Sequence, residues 1–428
     1  MRVLHIAAAA VLAAGPAWAG QPAPLTIDDA VREALGSNVA LVAGRASVGP
    51  LRERPAQARF LPPPMVEAQI WRWPVTTLNP AKVDMYMFMG QQSLPARGAR
   101  AAEAAMAERE AELADTGVAV RERDTVEAVT RAYVDLLVTR RARTVFDETL
   151  TALRQLSDVS LARYRTTTGG SQDVLKTVLE ISRLHQDLID LDEATRTAEV
   201  RLATLLGRDP GSPVGALTEP PPIPAPVDAR ALAALAEQRA PELQRAAAGT
   251  HAAEASLTIA QLARRPEYVV RGGYMLMPGE AGALTASFGV SWPQAPWSRG
   301  RLDARERERA AAVEAARAET AEVRQQIHAA VHEAVTAYEA AVKRAALVTT
   351  TLIPQARQVV DTSRVGYSAG QVDFLTVIDG QRMQLAAELD AIYAGGGVLI
   401  AAAALERAVG IRLSDPAAVA ALVAGREQ

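Results

Sequence analysis

One order of segments occurs twice in this chain, about 200 residues apart: a shorter helix, two strand-like stretches, a very long helix, a tight polar turn and another shorter helix. Ile27-Asp28 opens the first copy and Val227-Asp228 the second. Arg97-Gly98 recurs as Arg299-Gly300, Tyr164 as Tyr367, Asp173-Val174-Leu175 as Thr376-Val377-Ile378, and Leu206-Gly207 as Val409-Gly410. A repeat constrains a fold more than any local motif, because each unit buries its surface against the next. The pattern predicts a protomer with internal pseudo-two-fold symmetry. A first repeat spans 20–218, a Pro-rich connector 219–226, a second repeat 227–410 and a tail 411–428.

The helical stretches read as narrow apolar seams. Val126, Val129, Tyr133 and Leu136 fall three or four residues apart, and so do Ile327, Val331, Val335, Tyr338 and Val342, with Arg, Glu and Asp between them. No proline interrupts 98–164, and only Pro354 lies within 299–366. Helices of that length run roughly 100 Å at 1.5 Å per residue. The shorter helices, 28–61 with 171–206 and 228–263 with 370–409, together match that extent, so two short helices stacked end to end would lie beside each long one. Aromatics make up only 4 % of the chain, which suits thin helical layers packed through Ala.

Four segments have a different period: 65–75, 83–94, 266–276 and 283–292. Each is about ten residues, the length of a tilted strand that crosses a bilayer. In the last, Leu284, Ala286, Phe288, Val290 and Trp292 alternate with Thr285, Ser287, Gly289 and Ser291. Such alternation gives one apolar and one polar face, as a porin-like wall requires. Trp71, Trp73, Tyr86, Phe88, Phe288 and Trp292 gather in or beside these segments, with Trp297, Tyr268 and Tyr274, and read as membrane-interface aromatics. The competing reading is a pair of soluble hairpins with buried aromatics. Four strands cannot close a membrane barrel, for which about eight is the minimum. A spanning role therefore requires several chains.

The amino terminus reads as a secretory signal peptide over 1–19. Arg2 precedes an apolar run from Val3 to Ala14, and Ala17 and Ala19 place small residues before cleavage at Gly20. The run is short for a membrane anchor, and no later segment has about 18 uninterrupted apolar residues. The chain has no Cys, which excludes disulfides, thiolate metal sites and an acylated terminal cysteine, so the mature protein is expected to be exported and not lipidated. A formal net charge of −3 and the lack of a basic stripe argue against nucleic acid as a partner. No nucleophile elbow, phosphate loop or HExxH pattern points to an enzyme, and no cofactor is implied.

Taken together, the stretch from Leu25 to Leu35, Arg163-Tyr164 leading to Asp173-Val174-Leu175, the run from Gly366 to Asp379, and the closing Leu405 to Gly410 resemble the TolC-like outer-membrane efflux protein family, or outer membrane factors. The resemblance covers essentially all of the mature sequence. It implies a mainly α fold with a small membrane β part: tandem-duplicated long helical hairpins forming an α-barrel tube, and four strands per protomer contributing to a shared trimeric β-barrel. It implies a homotrimer in the outer-membrane lipid of a Gram-negative bacterium, with a long periplasmic portion. Its partners would be a periplasmic adaptor protein and an inner-membrane pump of the RND or ABC type, in tripartite efflux or type I secretion. The rival reading is a periplasmic adaptor, which would show one hairpin flanked by soluble β domains.

The resemblance also assigns residues. The turns 164–173 and 367–373, with Tyr164, Gly169, Gly170, Ser171, Tyr367, Gly370 and Gln371, would be adaptor-docking tips at the periplasmic mouth. Asp379 matches a carboxylate that lines the closed mouth in relatives, and Thr376 and Asp173 join it as pore candidates. Thr376 stands where a second family carboxylate would lie, and Val372 near the place of a basic lock residue. An alternative for Asp379 is a surface residue near a helix start. Outside that set, Met85, Met87 and Met89 alternate on one strand, and similar Met-rich strand motifs occur in relatives that serve heavy-metal pumps; thioethers suit Cu(I), but a Met stripe is more often apolar packing. His328 and His332 have metal-compatible helical spacing but no third ligand. Gly395-Gly396-Gly397 permits either a close helix approach or a kink. The substrate stays open between heavy metal, drug and secreted protein.

Overall fold

The computed structural model describes residues 24–77, 79–166, 170–220 and 228–412. The signal peptide, Gly169, connector residues 221–226 and tail residues 413–428 lie outside the described residues. The elements run α1 (Ile27–Ser37), α2 (Val39–Ala58), β1 (Met65–Trp71), β2 (Met85–Leu94), α3 (Ala99–Arg165), α4 (Ser171–Leu205), α5 (Ala229–Arg239), α6 (Pro241–Leu262), β3 (Tyr268–Leu276), β4 (Ala283–Val290), α7 (Arg299–Leu347), α8 (Ile353–Ser368) and α9 (Phe374–Val409). Strand pairing is antiparallel throughout, and the sheet order is β1-β2-β3-β4. The two hairpins therefore join through β2 and β3 into one sheet, whose outer edges are β1 and β4.

The end-to-end arrangement expected from helix lengths is present. Ion pairs from Arg45 to Glu122 (2.6 Å), Arg52 to Asp115 (2.7 Å) and Arg59 to Glu108 (2.8 Å) run antiparallel along α2 and the first half of α3. Arg140 to Glu199 (2.6 Å) does the same for α4 and the second half of α3. In the second repeat, Arg264 to Asp303 (2.7 Å) and Arg317 to Glu254 (3.0 Å) tie α6 to α7. These pairs are largely solvated, and such pairs contribute only about 0–1 kcal/mol each. They record register; the apolar seams carry the stability.

Three boundaries depart from the sequence reading, each for a local reason. The helix expected over 28–61 breaks at Asn38, whose ψ is 119° and whose side chain accepts from the N–H groups of Ala40 and Leu41. The Asn38 amide also donates to the Leu205 carbonyl at 2.9 Å, so the break is tied to α4. The helix expected over 228–263 breaks at Ala240, where the following Pro241 excludes the helical conformation. The long helix expected over 299–366 is interrupted by a π turn at Val348–Leu352. Pro354 follows one residue later, after Ile353. Its ring lacks an N–H and crowds the preceding turn, and a widened turn absorbs both defects.

The core repeats as the sequence does. Around α1, α3 and α4, Ala30, Ala34, Val129, Tyr133, Leu202 and Leu206 are buried together. Around α5, α7 and α9 the counterparts are Leu232, Ala236, Val331, Val335, Leu405 and Val409. The Tyr133 hydroxyl lies 2.6 Å from the Leu25 carbonyl oxygen and 2.7 Å from that of Thr218, and accepts the Thr218 N–H at 2.9 Å. It thus fastens the segment entering α1 to the one leaving α4, where Leu25 and Leu217 bridge in parallel. A third cluster, with Leu153, Leu184, Tyr367, Phe374 and Val377, joins the ends of both helical hairpins. Of the Gly395–Gly397 run, Gly396 is the close approach: a Cβ there would lie 2.4 Å from Val138 Cγ2, while α9 continues unbroken.

The equivalent glycines that close each repeat, Gly207 and Gly410, both take positive φ, 73° and 80°. A Cβ on Gly207 would also sit 2.3 Å from the Ser37 carbonyl oxygen. Gly207→Ala is expected to destabilise the protein by about 1–3 kcal/mol, the usual cost of forcing such a conformation. Gly36→Ala, in α1 with nothing near its missing Cβ, should stabilise it by up to about 1 kcal/mol. Melting of the two variants in detergent, read by circular dichroism, should shift in opposite directions.

Candidate membrane sheet and pore mouth

The pairing register sorts the strand residues onto two faces, because side chains alternate along each strand. Ala68, Phe88 and Tyr274 share a face with Val270 and Phe288. On this face Val66 is 83 % exposed, Leu284 85 %, Phe288 68 % and Phe88 54 %. A contiguous exposed layer of this kind does not persist in water and marks a surface for lipid or protein. The opposite face carries Glu67, Gln69, Arg271, Thr285 and Ser287. One side of the sheet is apolar, and the other carries its two charged residues and most of its polar ones among methionines, Trp71 and Val269; the alternation of β4 alone foreshadowed the two faces.

The aromatics fall at both ends of the strands. Beyond the loop ends, the Trp73 indole N–H donates to the Thr77 carbonyl at 2.9 Å, and the Tyr86 hydroxyl to the Pro80 carbonyl at 2.7 Å. At the helix-proximal end, Tyr268 stacks on Phe288 with centroids 5.6 Å apart. Trp292 meets Trp297 edge-on at 6.0 Å just beyond β4. Trp71 departs from the set: its partner is Met85, which puts it on the polar face. Met85, Met87 and Met89 lie on that same polar face, away from the exposed apolar one.

At the other end of the molecule, α3 and α4 form one tip and α8 and α9 the second. Tyr164 is exposed on the last turn of α3, Gly170 caps α4, and Ser171 is its first residue. Tyr367 is buried between the tips. Its ring packs edge-on against Phe374 (5.5 Å) and lies 4.3 Å from the Arg163 guanidinium, which also donates to the Tyr367 carbonyl at 2.6 Å. Its hydroxyl points to Asp173 Oδ2 at 3.5 Å. Burial first, and then the Asp173 charge, raises the Tyr367 pKa. In the second turn Gly370 has φ 73°, and the Gln371 N–H returns to the Gly366 carbonyl at 2.8 Å. Val372 packs over Gly366.

Asp373 caps α9 by accepting from the Thr376 N–H (3.0 Å) and hydroxyl (2.7 Å), and these bonds hold its carboxyl below the usual carboxylate range. Thr376 is thereby committed to its own helix start. Asp379, one turn on, is exposed and 3.7 Å from Arg382. Arg382 spends its main interaction elsewhere: its guanidinium is bidentate on Glu180 of α4, at 2.5 and 2.7 Å. That bond depresses the Glu180 pKa against a smaller opposing effect of burial. Sequence reading missed Arg163, Glu180 and Arg382 as tip residues. At the 203-residue offset that relates α4 to α9, Glu180 and Arg382 fall one position apart, so the repeat alone does not pair them. His328 faces Glu237 at 3.4 Å. Among the described residues, no three His, Cys, Asp or Glu side chains come together to hold a metal.

Comparison with known proteins agrees with this architecture. The family model described as outer membrane efflux protein matches twice, over 30–208 and 232–411, which reproduces the internal repeat. Among solved structures, the outer-membrane channel OprN superposes with a TM-score of 0.73 at 19% identity, covering 90% of this chain and 89% of that one. The outer membrane protein VceC of Vibrio cholerae gives 0.74 at 16%, covering 91% and 97%. The MtrE outer membrane channel of Neisseria gonorrhoeae, in its open state, gives 0.73 at 16%, covering 90% and 89%. A search of curated proteins finds no match. With both halves of the chain matched and the four-stranded sheet set on paired long helices, this protein belongs to the outer membrane efflux protein family, the TolC-like outer membrane factors.

Proposed function

We propose that three copies of this chain close their sheets into one twelve-stranded barrel in the outer membrane and continue it as a periplasmic helical tube. The channel would pass substrate from an inner-membrane pump, through a periplasmic adaptor, to the outside. The observation that carries this reading is the sheet itself. Its two faces suit lipid and water, and among the described residues β1 and β4 leave their outer edges without a strand partner. Open edges in hydrocarbon leave backbone groups unsatisfied at several kcal/mol each, and pairing β4 of one copy with β1 of the next removes them. The helix α9 supports the same assembly. It is long and apolar enough to cross a membrane by composition, yet only 17% of its most apolar window is buried within the protomer. A neighbouring copy would cover the rest.

The two tips lie farthest from the sheet, which makes them the surface for the adaptor. Around a three-fold axis, Asp379 would recur three times at the mouth, with Asp173 nearby on α4. Like charges so placed attract cations.

Native mass spectrometry of detergent-extracted protein should give a trimer, and a stable monomer would refute the shared barrel. Gly370→Val should impair export in cells while the protein still reaches the outer membrane, because Val at φ 73° distorts the turn; normal export would show that this tip is dispensable for docking. In planar bilayers, Asp379→Asn should reduce cation preference severalfold. Unchanged selectivity would place Asp379 outside the pore and leave it a solvated residue beside Arg382.

A further inference from the structure

Helices give way to strands through four turns, α2–β1, β2–α3, α6–β3 and β4–α7, and the sheet order sets them side by side in that sequence. Each of the three junctions between neighbouring turns is closed by polar side chains. Arg100 Nη1 donates to the Arg59 carbonyl and Gln92 Nε2 to the Pro62 carbonyl, both at 2.9 Å, tying β2–α3 to α2–β1. Arg265 Nη1 donates to the Arg97 carbonyl at 2.7 Å, tying α6–β3 to β2–α3. Gln294 Nε2 donates to the Arg264 carbonyl at 3.2 Å and the Glu267 N–H to the Ser291 hydroxyl at 2.8 Å, tying β4–α7 to α6–β3. The two outermost turns carry different chemistry. Trp292 and Trp297 are exposed in the β4–α7 turn, Trp297 at 83 %, and Phe60 and Leu61 are exposed in the α2–β1 turn, Phe60 at 76 %. Phe60 and Leu61 stand two and three residues past the end of α2, as Arg264 and Arg265 stand past the end of α6. Trp297 stands two residues ahead of α7, as Arg97 does ahead of α3. The repeat therefore puts apolar side chains on both outer turns at the places where the central junction has its Arg265-to-Arg97 bond.

We propose that Trp292 and Trp297 of one copy pack against Phe60 and Leu61 of the next copy, forming an apolar seam where the barrel passes into the helical tube. When β4 of one copy pairs antiparallel with β1 of the next, their helix-proximal ends meet. The β4–α7 turn then lies beside the next copy's α2–β1 turn, and the ring of turns gains its remaining junction. Trp292 and Trp297 stand edge-on with ring centroids 6.0 Å apart, so one half of the seam is preformed in the single chain. Aromatic side chains bury roughly 150–250 Å² each and dominate the energetics of interfaces. A hydrogen bond formed between copies replaces bonds to water at little net gain, whereas covering exposed apolar surface drives association directly. Polar links thus suit junctions made as one chain folds, and an apolar link suits the junction made when copies meet. Lipid is the rival cover for these side chains. The second copy is favoured because pairing of the strand edges brings these two turns together and because both turns are apolar at the matching places. The proposal deepens the shared-barrel reading and rests on it for the order in which β1 of one copy follows β4 of another.

The chain has no Cys, so introduced thiols are the only ones present. Full-length L61C/W297C, extracted in detergent and treated with a short bis-maleimide, should run as covalent dimers and trimers on a denaturing gel, while L61C and W297C alone stay monomeric there. If the double variant is trimeric by native mass spectrometry yet yields only monomers on the gel, the seam is overturned and the shared barrel stands. A wild type that is monomeric by native mass spectrometry removes the barrel and the seam together. Should L61C/W297C fail to assemble, fluorescence of wild type and W297F in bilayers of brominated phosphatidylcholine carries the test. The difference between their emissions belongs to Trp297 and should be the same as in unbrominated lipid, because the next copy shields the indole. Loss of that difference in the brominated bilayer means that lipid covers Trp297, and it overturns the proposal.

Discussion

Backbone hydrogen bonding at the edges of a four-stranded sheet is the constraint on which the rest of this protein depends. The interior strands β2 and β3 satisfy each other, but among the described residues β1 and β4 each have one side open. In water such edges are tolerable; in hydrocarbon they are not. The helical part follows the same count. The helix α2 leads into β1, β2 leads into α3, α6 leads into β3, and β4 leads into α7. Four strands are thus continued by four helices, and at the far end α3, α4, α8 and α9 keep the number at four. Whatever closes the strands into a ring also arranges the helices as a wall of constant composition, which explains why short helices must abut end to end beside the long ones.

The two repeats are equivalent in the body of that wall and diverge where something has to be different. Ala34 and Ala236, Leu202 and Leu405, and Gly207 and Gly410 occupy matching places. The tips do not match. The Arg163 guanidinium reaches across to the second hairpin, and Arg382 reaches back to Glu180 in the first. Both contacts are charge-assisted, and Glu180 and Tyr367 are largely shielded from solvent, so they fix the geometry more firmly than an exposed ion pair would. The Glu180 pKa is depressed in the folded state, so its contribution is complete above the ordinary glutamate range. It is lost as pH falls through the depressed value, and at neutral pH the brace is intact. The π turn before Pro354 belongs to α7 and α8 alone. The second hairpin consequently has a widened turn that the first lacks.

Period, repeat and length made the architecture legible before any coordinates. The seams through Val129 and Tyr133, and through Val331 and Tyr338, are buried as their spacing requires, and the four strands begin or end within a few residues of the sequence reading. What was not legible depends on tertiary partners. Asn38 is a tolerable helix residue until its amide finds the Leu205 carbonyl, 167 positions away, and its oxygen caps α2. Glu180 and Arg382 look like ordinary solvated charges because their pairing needs the two hairpins to meet. Pro241 and Pro354 were visible, but a proline can start a helix or distort one, and context selected a different outcome at each. Three glycines in a row offered no means of telling which one matters; the answer is Gly396, because Val138 stands against it.

Alternation in a strand reveals that a sheet has two faces, but not which residues of neighbouring strands share one. That information is in the register, and here it alters the chemistry of the membrane part. Read along β2 alone, Tyr86 and Phe88 could face water and the methionines lipid, or the reverse. Pairing with β1 and β3 decides it, because Phe88 aligns with Ala68 and Tyr274 while Met87 aligns with Gln69 and Met275. Trp71 follows the same logic and leaves the lipid-facing set despite its residue type. The face opposite Phe88 is mixed: Glu67, Gln69, Arg271, Thr285 and Ser287 share it with Trp71, Met85, Met87, Met89, Val269 and Met275. The methionines gather with Trp71 and Ala283 towards the loop-side end of that face, where cross-strand apolar contacts hold them, and Gly273 makes space for the Met89 side chain.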